Sequence, residues 1–275
     1  WLQRIRFCSS DFACNLIWQM ISLYLLYFYT NVMHLNAGAV SVMFLVTKVI
    51  DGISDLIVGF LIDKTNTKWG KSRPWILFGA IPFGVAAVLA FSVPNIGQTG
   101  MLIYAYVSYI LLSTAYTVVN IPMASILPAL SEDPHERTVL ASCRTFFSSI
   151  GSTVVSAFAL TLVDKFGNGN EALGFRIVMM IFGVIGCLVF FFCFFNTKER
   201  VTIKQEKVSL KANISCLLHN KPWKLFALNI VWFFGGFVIQ ASAVIYYFTY
   251  VVQNTTLVQI VATITTLVPI VTNLC

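Results

Sequence analysis

Charge is what this sequence has least of. Only 11% of its 275 residues are Asp, Glu, Lys or Arg, against about 25% in a soluble domain. With 58% hydrophobic residues and a mean hydropathy of +0.82, that shortage excludes an ordinary soluble fold and predicts an all-α polytopic membrane protein. Histidine is scarcer still. His34, His135 and His219 all fall at loop edges, which leaves no metal reading for them. Seven cysteines (Cys8, Cys14, Cys143, Cys187, Cys193, Cys216, Cys275) include no Cys-x-x-Cys. Most lie in apolar segments or in loops predicted cytoplasmic, so free thiols are expected rather than disulfides or metal ligands. No nucleophile–base pair, phosphate loop or metal motif is present, which argues against an enzyme and against a cofactor. The net charge of +7 does not indicate nucleic acid, because the basic residues sit between apolar segments rather than along one solvent face.

What the sequence does have is long apolar runs. Stretches of about 20 such residues cross a bilayer. Eight are expected: Asp11 to Met33, Ala37 to Ile62, Pro74 to Val93, Gly100 to Leu130, Thr138 to Val163, Gly174 to Phe195, Lys221 to Val252, and one from Leu257 until the chain stops at Cys275. Fourteen of the 18 basic residues lie on alternate loops, while the opposite loops carry only Lys165 and Arg176. The positive side is the cytoplasmic one, so the N-terminus is expected in the cytoplasm of a cell (inner or plasma) membrane protein. Residues 196–220 form a polar, basic linker, the one candidate domain boundary. It separates a bundle of six spans, 1–195, from a new start, 221–275. Leu210 to Leu218 within it has some helical periodicity. The triplets Asn213-Ile-Ser and Asn254-Thr-Thr match glycosylation acceptors but sit in unsuitable places. Six helices, a cytoplasmic linker and a second set is the layout of major-facilitator transporters. Neither end of the sequence looks like a natural terminus, so the expectation is a fragment: one bundle plus the first two helices of the next.

One stretch concentrates the scarce charges. Asp51 and Asp55, four residues apart, share a helix face one turn from each other. Lys48 joins that face as a charge partner, and Gly59 continues it. An ionisable group at the bilayer centre costs roughly 2.5–3.5 kcal/mol. Two carboxylates and an ammonium together therefore call for an interior, charge-compensated site. A cation site fits that need, and a structural ion-pair cluster is the alternative.

Other polar residues converge on the same region. Asp11 is expected near the cytoplasmic start of the first span, followed at helical spacing by Asn15, Trp18 and Gln19. Carboxylate and amide groups bond sugar hydroxyls, and an indole face stacks on a pyranose ring; an interfacial anchor is the alternative for Trp18. Asn120 stands beside Pro122, which frees the carbonyl of Val118. That carbonyl and Thr117 are candidates to complete an oxygen shell for a cation. Arg144 lies six residues into the fifth span and either snorkels or points inward as a donor fork. The stretch with Gly59, Asp63, Lys64, Gly70, Lys71 and Arg73 is expected to latch helix ends in one transport state, beyond simple topology.

Asp51-x3-Asp55-x3-Gly59-x3-Asp63, followed by Gly70-Lys71-x-Arg73-Pro74-Trp75, resembles the glycoside–pentoside–hexuronide:cation symporters, the melibiose-permease group of the major facilitator superfamily. Asp11-Phe-Ala-Cys-Asn15, Tyr116-Thr117-x-x-Asn120-Ile121-Pro122 and Arg144-x-Phe146-Phe147 are similar to that group's first, fourth and fifth helices. The resemblance implies that Asp51, Asp55 and Thr117 take the coupling cation, Na⁺ or H⁺ with Li⁺ as an alternative, and Ser54, between the two acids, is a further candidate. It implies that Asp11 and Arg144 bind sugar, with Asn15, Trp18 and Asn120 beside them. Lys48 falls where melibiose carriers have an arginine and Trp18 where they have a tyrosine. Asn120 replaces a sugar-binding aspartate, Ala124 a tryptophan and Ser54 an asparagine. These departures argue against melibiose itself and leave the cation open. The expected function is cation-coupled symport of a glycoside, pentoside or hexuronide across a lipid bilayer. A lysolipid-type symporter and a non-transporting membrane sensor on the same fold are the alternatives.

Overall fold

The computed structural model describes residues 2–130, 133–197, 216, 219–247, 251–252, 257, 260–261, 263–265 and 268. Most of the expected linker and of the eighth segment, and both glycosylation-type triplets, lie outside the described residues. The chain forms two compact units, Trp1–Thr202 with Thr263–Cys275, and Ile203–Ala262.

In the first unit, α1 (Leu2–Tyr27) runs on into a π-helical turn at Phe28–Val32. It is followed by α2 (Ala37–Lys64), α3 (Arg73–Ala90), α4 (Gln98–Leu130), α5 (Pro134–Gly167) and α6 (Glu171–Asn196). The second unit holds α7 (Lys221–Tyr246). Helix is the form that satisfies every backbone group within a single segment in lipid, and no strand forms among the described residues. Among the described residues, five helices are long and apolar enough to cross a membrane: Ile5–Val32, Arg73–Ala90, Gln98–Leu127, His135–Gly167 and Glu171–Asn196. The chain is a multi-pass membrane protein.

Side chains set several helix starts. Asn36 accepts from the amides of Gly38 and Ala39, opening α2, and Asn170 accepts from Leu173, opening α6. Asp133 accepts from His135, and Pro134 sits at the first helical position of α5, where its missing N–H costs nothing. That cap starts α5 four residues before the expected Thr138. Likewise α1 begins at Leu2, not Asp11. Asp11 therefore lies about two and a half turns inside α1 and six residues into the membrane-crossing stretch Ile5–Val32.

Apolar surface gives no drive for helix association inside lipid, so close packing and small residues carry it. α1 packs on α5 and α6, α3 on α4 and α6, and α2 on α4. Phe28, Phe91 and Phe175 form a buried aromatic knot with ring centroids 5.2–5.8 Å apart. The Phe-rich end of α6 divides by helical face: Phe190 and Phe194 are buried, while Phe192 and Phe195 are exposed. Gly151 on α5 lies against the backbone of α1, where an added Cβ would sit 2.7 Å from the Phe12 carbonyl oxygen. Gly151→Val must push α1 and α5 apart. Overpacking of this kind costs about 1–3 kcal/mol, so the thermal unfolding midpoint in detergent should fall. An unchanged midpoint would contradict the close approach.

Candidate functional site

Two helices carry matching pairs of oxygens. Asp51 and Asp55 lie on α2, and Ser113 and Thr117 lie opposite them on α4, each pair one turn apart. The Ser113 hydroxyl donates to Asp51 Oδ1. The Thr117 hydroxyl donates to Asp55 Oδ1 at 2.8 Å. Ser113 and Thr117 are buried, Asp51 is half-buried and Asp55, though it faces α4, is exposed. A hydroxyl that donates its proton to a carboxylate still has lone pairs to offer. The arrangement thus gathers carboxylate and hydroxyl oxygens, the hard ligands of a Na⁺-type cation, from two facing helices. Ser54 donates to the carbonyl of Asp51 at 2.9 Å, which ties its oxygen to the same turn. Among the described residues, no group of three or more His, Cys, Asp and Glu is disposed to hold a metal ion.

Ser113 was not singled out from the sequence. A serine in an apolar span ordinarily packs. The available signal was its spacing: four residues before Thr117, matching the interval between Asp51 and Asp55.

The second cluster joins α1 and α5. Arg144 donates Nε–H to Asp11 Oδ2 at 2.7 Å and Nη2–H to Asp11 Oδ1 at 2.9 Å. This is a bidentate fork, the strong form of a charge-assisted pair. Both side chains are largely buried, 11% exposed for Asp11 and 18% for Arg144, so Arg144 points inward rather than snorkelling. A cavity of about 310 Å³ opens beside the fork, lined by Asp11, Ala141, Arg144, Thr145 and Ser148. Asn15 donates to the carbonyl of Asp11 at 2.9 Å and lies at the contact with Gly151.

Aromatic stacking links the clusters. Trp18 stacks on Tyr116 with ring centroids 4.3 Å apart, so one indole face is already covered. Tyr116 adjoins Thr117. Lys48 lies 3.3 Å from Asp51 Oδ2 and 5.6 Å from the Trp18 ring centre. Trp18 is seven residues, or about 10 Å, along α1 from Asp11. Asn120 is half-buried on α4, and no hydrogen bond joins it to the fork among the described residues. Pro122 sits within a continuous α4, and its carbonyl accepts from Ser125.

The residues expected to form a latch lie at the end of α2, in the α2–α3 loop and at the start of α3. Lys64, at the end of α2, covers the Phe60 ring at 4.3 Å, and Asp63 beside it is exposed. Gly59 faces open space. Gly70 takes φ +106° at the turn, a conformation that favours glycine, and Lys71 follows it. Arg73 donates Nη2–H to the Phe194 carbonyl at 2.6 Å and Nη1–H to that of Trp69 at 3.2 Å, with its guanidinium over the Phe194 ring. Arg73 thus caps the C-terminal end of α6 and ties the α2–α3 loop to it, a cation on a helix's negative end.

The sequence profile of the family described as MFS/sugar transport protein matches residues 6–274. The chain belongs to this transporter family. Among its relatives, the isoprimeverose transporter of Lactiplantibacillus pentosus is 40% identical over 95% of this chain and 55% of its own length. YagG of Escherichia coli (strain K12), named for glycoside/cation symport, is 38% identical over 91% of this chain and 55% of its own. A glucuronide carrier protein homolog of the same organism is 30% identical over 98% of this chain and 59% of its own. The chain spans a little over half the length of these MFS relatives. The matched family is one of transporters, not enzymes.

Proposed function

We propose that this chain belongs to a cation-coupled sugar symporter, with Asp51, Asp55, Ser113 and Thr117 on the coupling ion and Asp11 and Arg144 on the sugar. The observation that carries the reading is the register match between α2 and α4: two carboxylates one turn apart, each met by a hydroxyl. A monovalent cation among these oxygens relieves the repulsion between Asp51 and Asp55 and draws α2 onto α4. Tyr116, adjacent to Thr117, carries that movement to Trp18 and so to α1. Each ligand then favours the other by the same factor, as reciprocal coupling requires. Na⁺ and H⁺ both suit the carboxylates, with Li⁺ as a third candidate. Ser54 remains a candidate ligand, and Asn15, Trp18 and Asn120 remain candidates for the sugar. The basic loops support a cytoplasmic N-terminus in the cell membrane.

A lysolipid cargo would need an apolar cleft, whereas the cavity found here holds the charged fork of Asp11 and Arg144 with the hydroxyls of Thr145 and Ser148. Neither that cargo nor a sensor role draws support from the relatives' names. The test is a titration of Na⁺ and pH against binding of glycosides, pentosides and uronides in membrane vesicles. Cation-dependent binding of one sugar class is expected. No binding across the panel at any Na⁺ concentration or pH would overturn the reading.

A further inference from the structure

We propose that Cys8 and Cys143 form a dithiol modification site, closed to a disulfide by small-molecule disulfides, that disturbs the Asp11–Arg144 fork when it closes. The consequence for sugar rests on the symport reading; the cross-link itself does not. Cys8 lies on α1 three residues before Asp11, so the two share a helix face. Cys143 lies on α5 immediately before Arg144. The Cys8 thiol donates to the Leu140 carbonyl of α5 at 3.7 Å. That carbonyl points along α5 toward the turn that carries Cys143 and Arg144, and the side chains of Cys8 and Cys143 interact across the helix contact. The Arg144 guanidinium lies over the ring of Phe7, the residue before Cys8. Cys193 on α6 is engaged elsewhere. Its thiol donates to the Phe7 carbonyl at 3.9 Å and lies 3.7 Å from the Thr197 hydroxyl.

Burial assigns the two thiols different roles. Both are free, but Cys8 is fully buried whereas Cys143 is partly exposed. Cys143, as its thiolate, attacks one sulfur of a small disulfide and releases the first thiol, leaving a mixed disulfide. Cys8, as its thiolate, then attacks the Cys143 sulfur, expels the second thiol and closes the Cys8–Cys143 bond. The two protons of the cysteines end on the two released thiols, and the two electrons reduce the small disulfide. A disulfide holds its two Cβ atoms about 3.5–4.5 Å apart, and two unbonded thiols side by side hold theirs further apart. Closure therefore pulls on the α5 turn that carries Arg144 and on the α1 face that carries Asp11. The fork, with bonds of 2.7 and 2.9 Å, weakens steeply as its distances and angles change.

The test exposes the whole carrier in membrane vesicles to a dipyridyl disulfide. Mass spectrometry of linked peptides reads the Cys8–Cys143 bond. Sugar binding is measured with whichever glycoside, pentoside or uronide the unoxidised protein binds. The expected result is that the bond forms with no pyridyl group retained on either cysteine. Binding should weaken at least about tenfold, as the loss of one charge-assisted hydrogen bond implies, and dithiothreitol should restore it. Cys143→Ser should bind sugar normally and resist the reagent, and Cys8→Ser should stop at the pyridyl adduct on Cys143. Absence of the Cys8–Cys143 bond in the oxidised, unaltered protein would overturn the proposal. So would a bond that leaves binding unchanged, an equal loss of binding in Cys143→Ser, or an unlabelled Cys143 in folded Cys8→Ser. If the unoxidised carrier binds no sugar at all, the symport reading falls and the consequence for sugar with it, while the mass measurement still decides the bond.

Discussion

Asp55→Asn abolishes cation-stimulated sugar accumulation while leaving the protein folded. The amide keeps the shape of the carboxylate and still accepts from Thr117, whose hydroxyl lies 2.8 Å from Asp55 Oδ1. Asp55 is also exposed on α2, so little packing is disturbed. What is lost is the charge. At an effective dielectric of about 20, a unit charge 4 Å from another contributes about 4 kcal/mol, which corresponds to roughly a thousandfold in ion affinity. Ser113→Ala and Thr117→Ala remove one neutral oxygen each, and each should weaken the ion by a smaller factor, about tenfold. The measurement is sugar accumulation and sugar binding as functions of Na⁺ concentration for all three variants. Asp55→Asn accumulating sugar with the Na⁺ dependence of the unaltered protein would sink the cation-site assignment. A silent Ser113→Ala beside a defective Thr117→Ala would confine the site to the Asp55 end.

The contrast between Ser113 and Asp51 shows what the sequence carries and what it hides. Asp51 was legible because a charge in an apolar span is costly and so has to be explained. Ser113 was not, because a hydroxyl costs little there and bonds its own helix readily, as Thr47 does to the Met43 carbonyl. Arg144 and Asp11 were each visible as charges within spans. Their pairing was not, since they are separated by 133 positions and only the packing of α5 against α1 brings them together. Hydropathy located the lipid-crossing parts of the helices but not their ends. α1 reaches back to Leu2 because a helix continues past the apolar layer wherever water or polar side chains satisfy it. The start of α5 was encoded in Asp133-Pro134, a cap signal that a hydropathy window does not register. The partner of Arg73 is a backbone carbonyl, that of Phe194, and such a partner has no residue signature at all.

The Asp11–Arg144 pair gives the largest expected effect on stability. Arg144→Met leaves a carboxylate that is 11% exposed without its fork, and breaking a buried pair in this way costs about 3–5 kcal/mol. Asp11→Leu leaves the guanidinium, which is 18% exposed and lies over the Phe7 ring with its carbon 5.7 Å from the ring centre. Arginine hydrates at its edge and stacks on aromatic faces, so this half of the pair should tolerate isolation better. The double variant, Asp11→Leu with Arg144→Met, removes both charges and puts apolar groups of similar bulk between α1 and α5. It should lie within about 1 kcal/mol of the unaltered protein, because the desolvation cost disappears together with the attraction. Reversible unfolding in detergent across this four-member cycle yields the coupling energy directly. If Arg144→Met costs no more than an ordinary surface substitution, about 0.5 kcal/mol, the fork contributes little to holding α1 on α5. If the double variant is as stable as expected and binds no sugar, the net contribution of the pair is to recognition, and α1 and α5 stay together through their packing at Gly151.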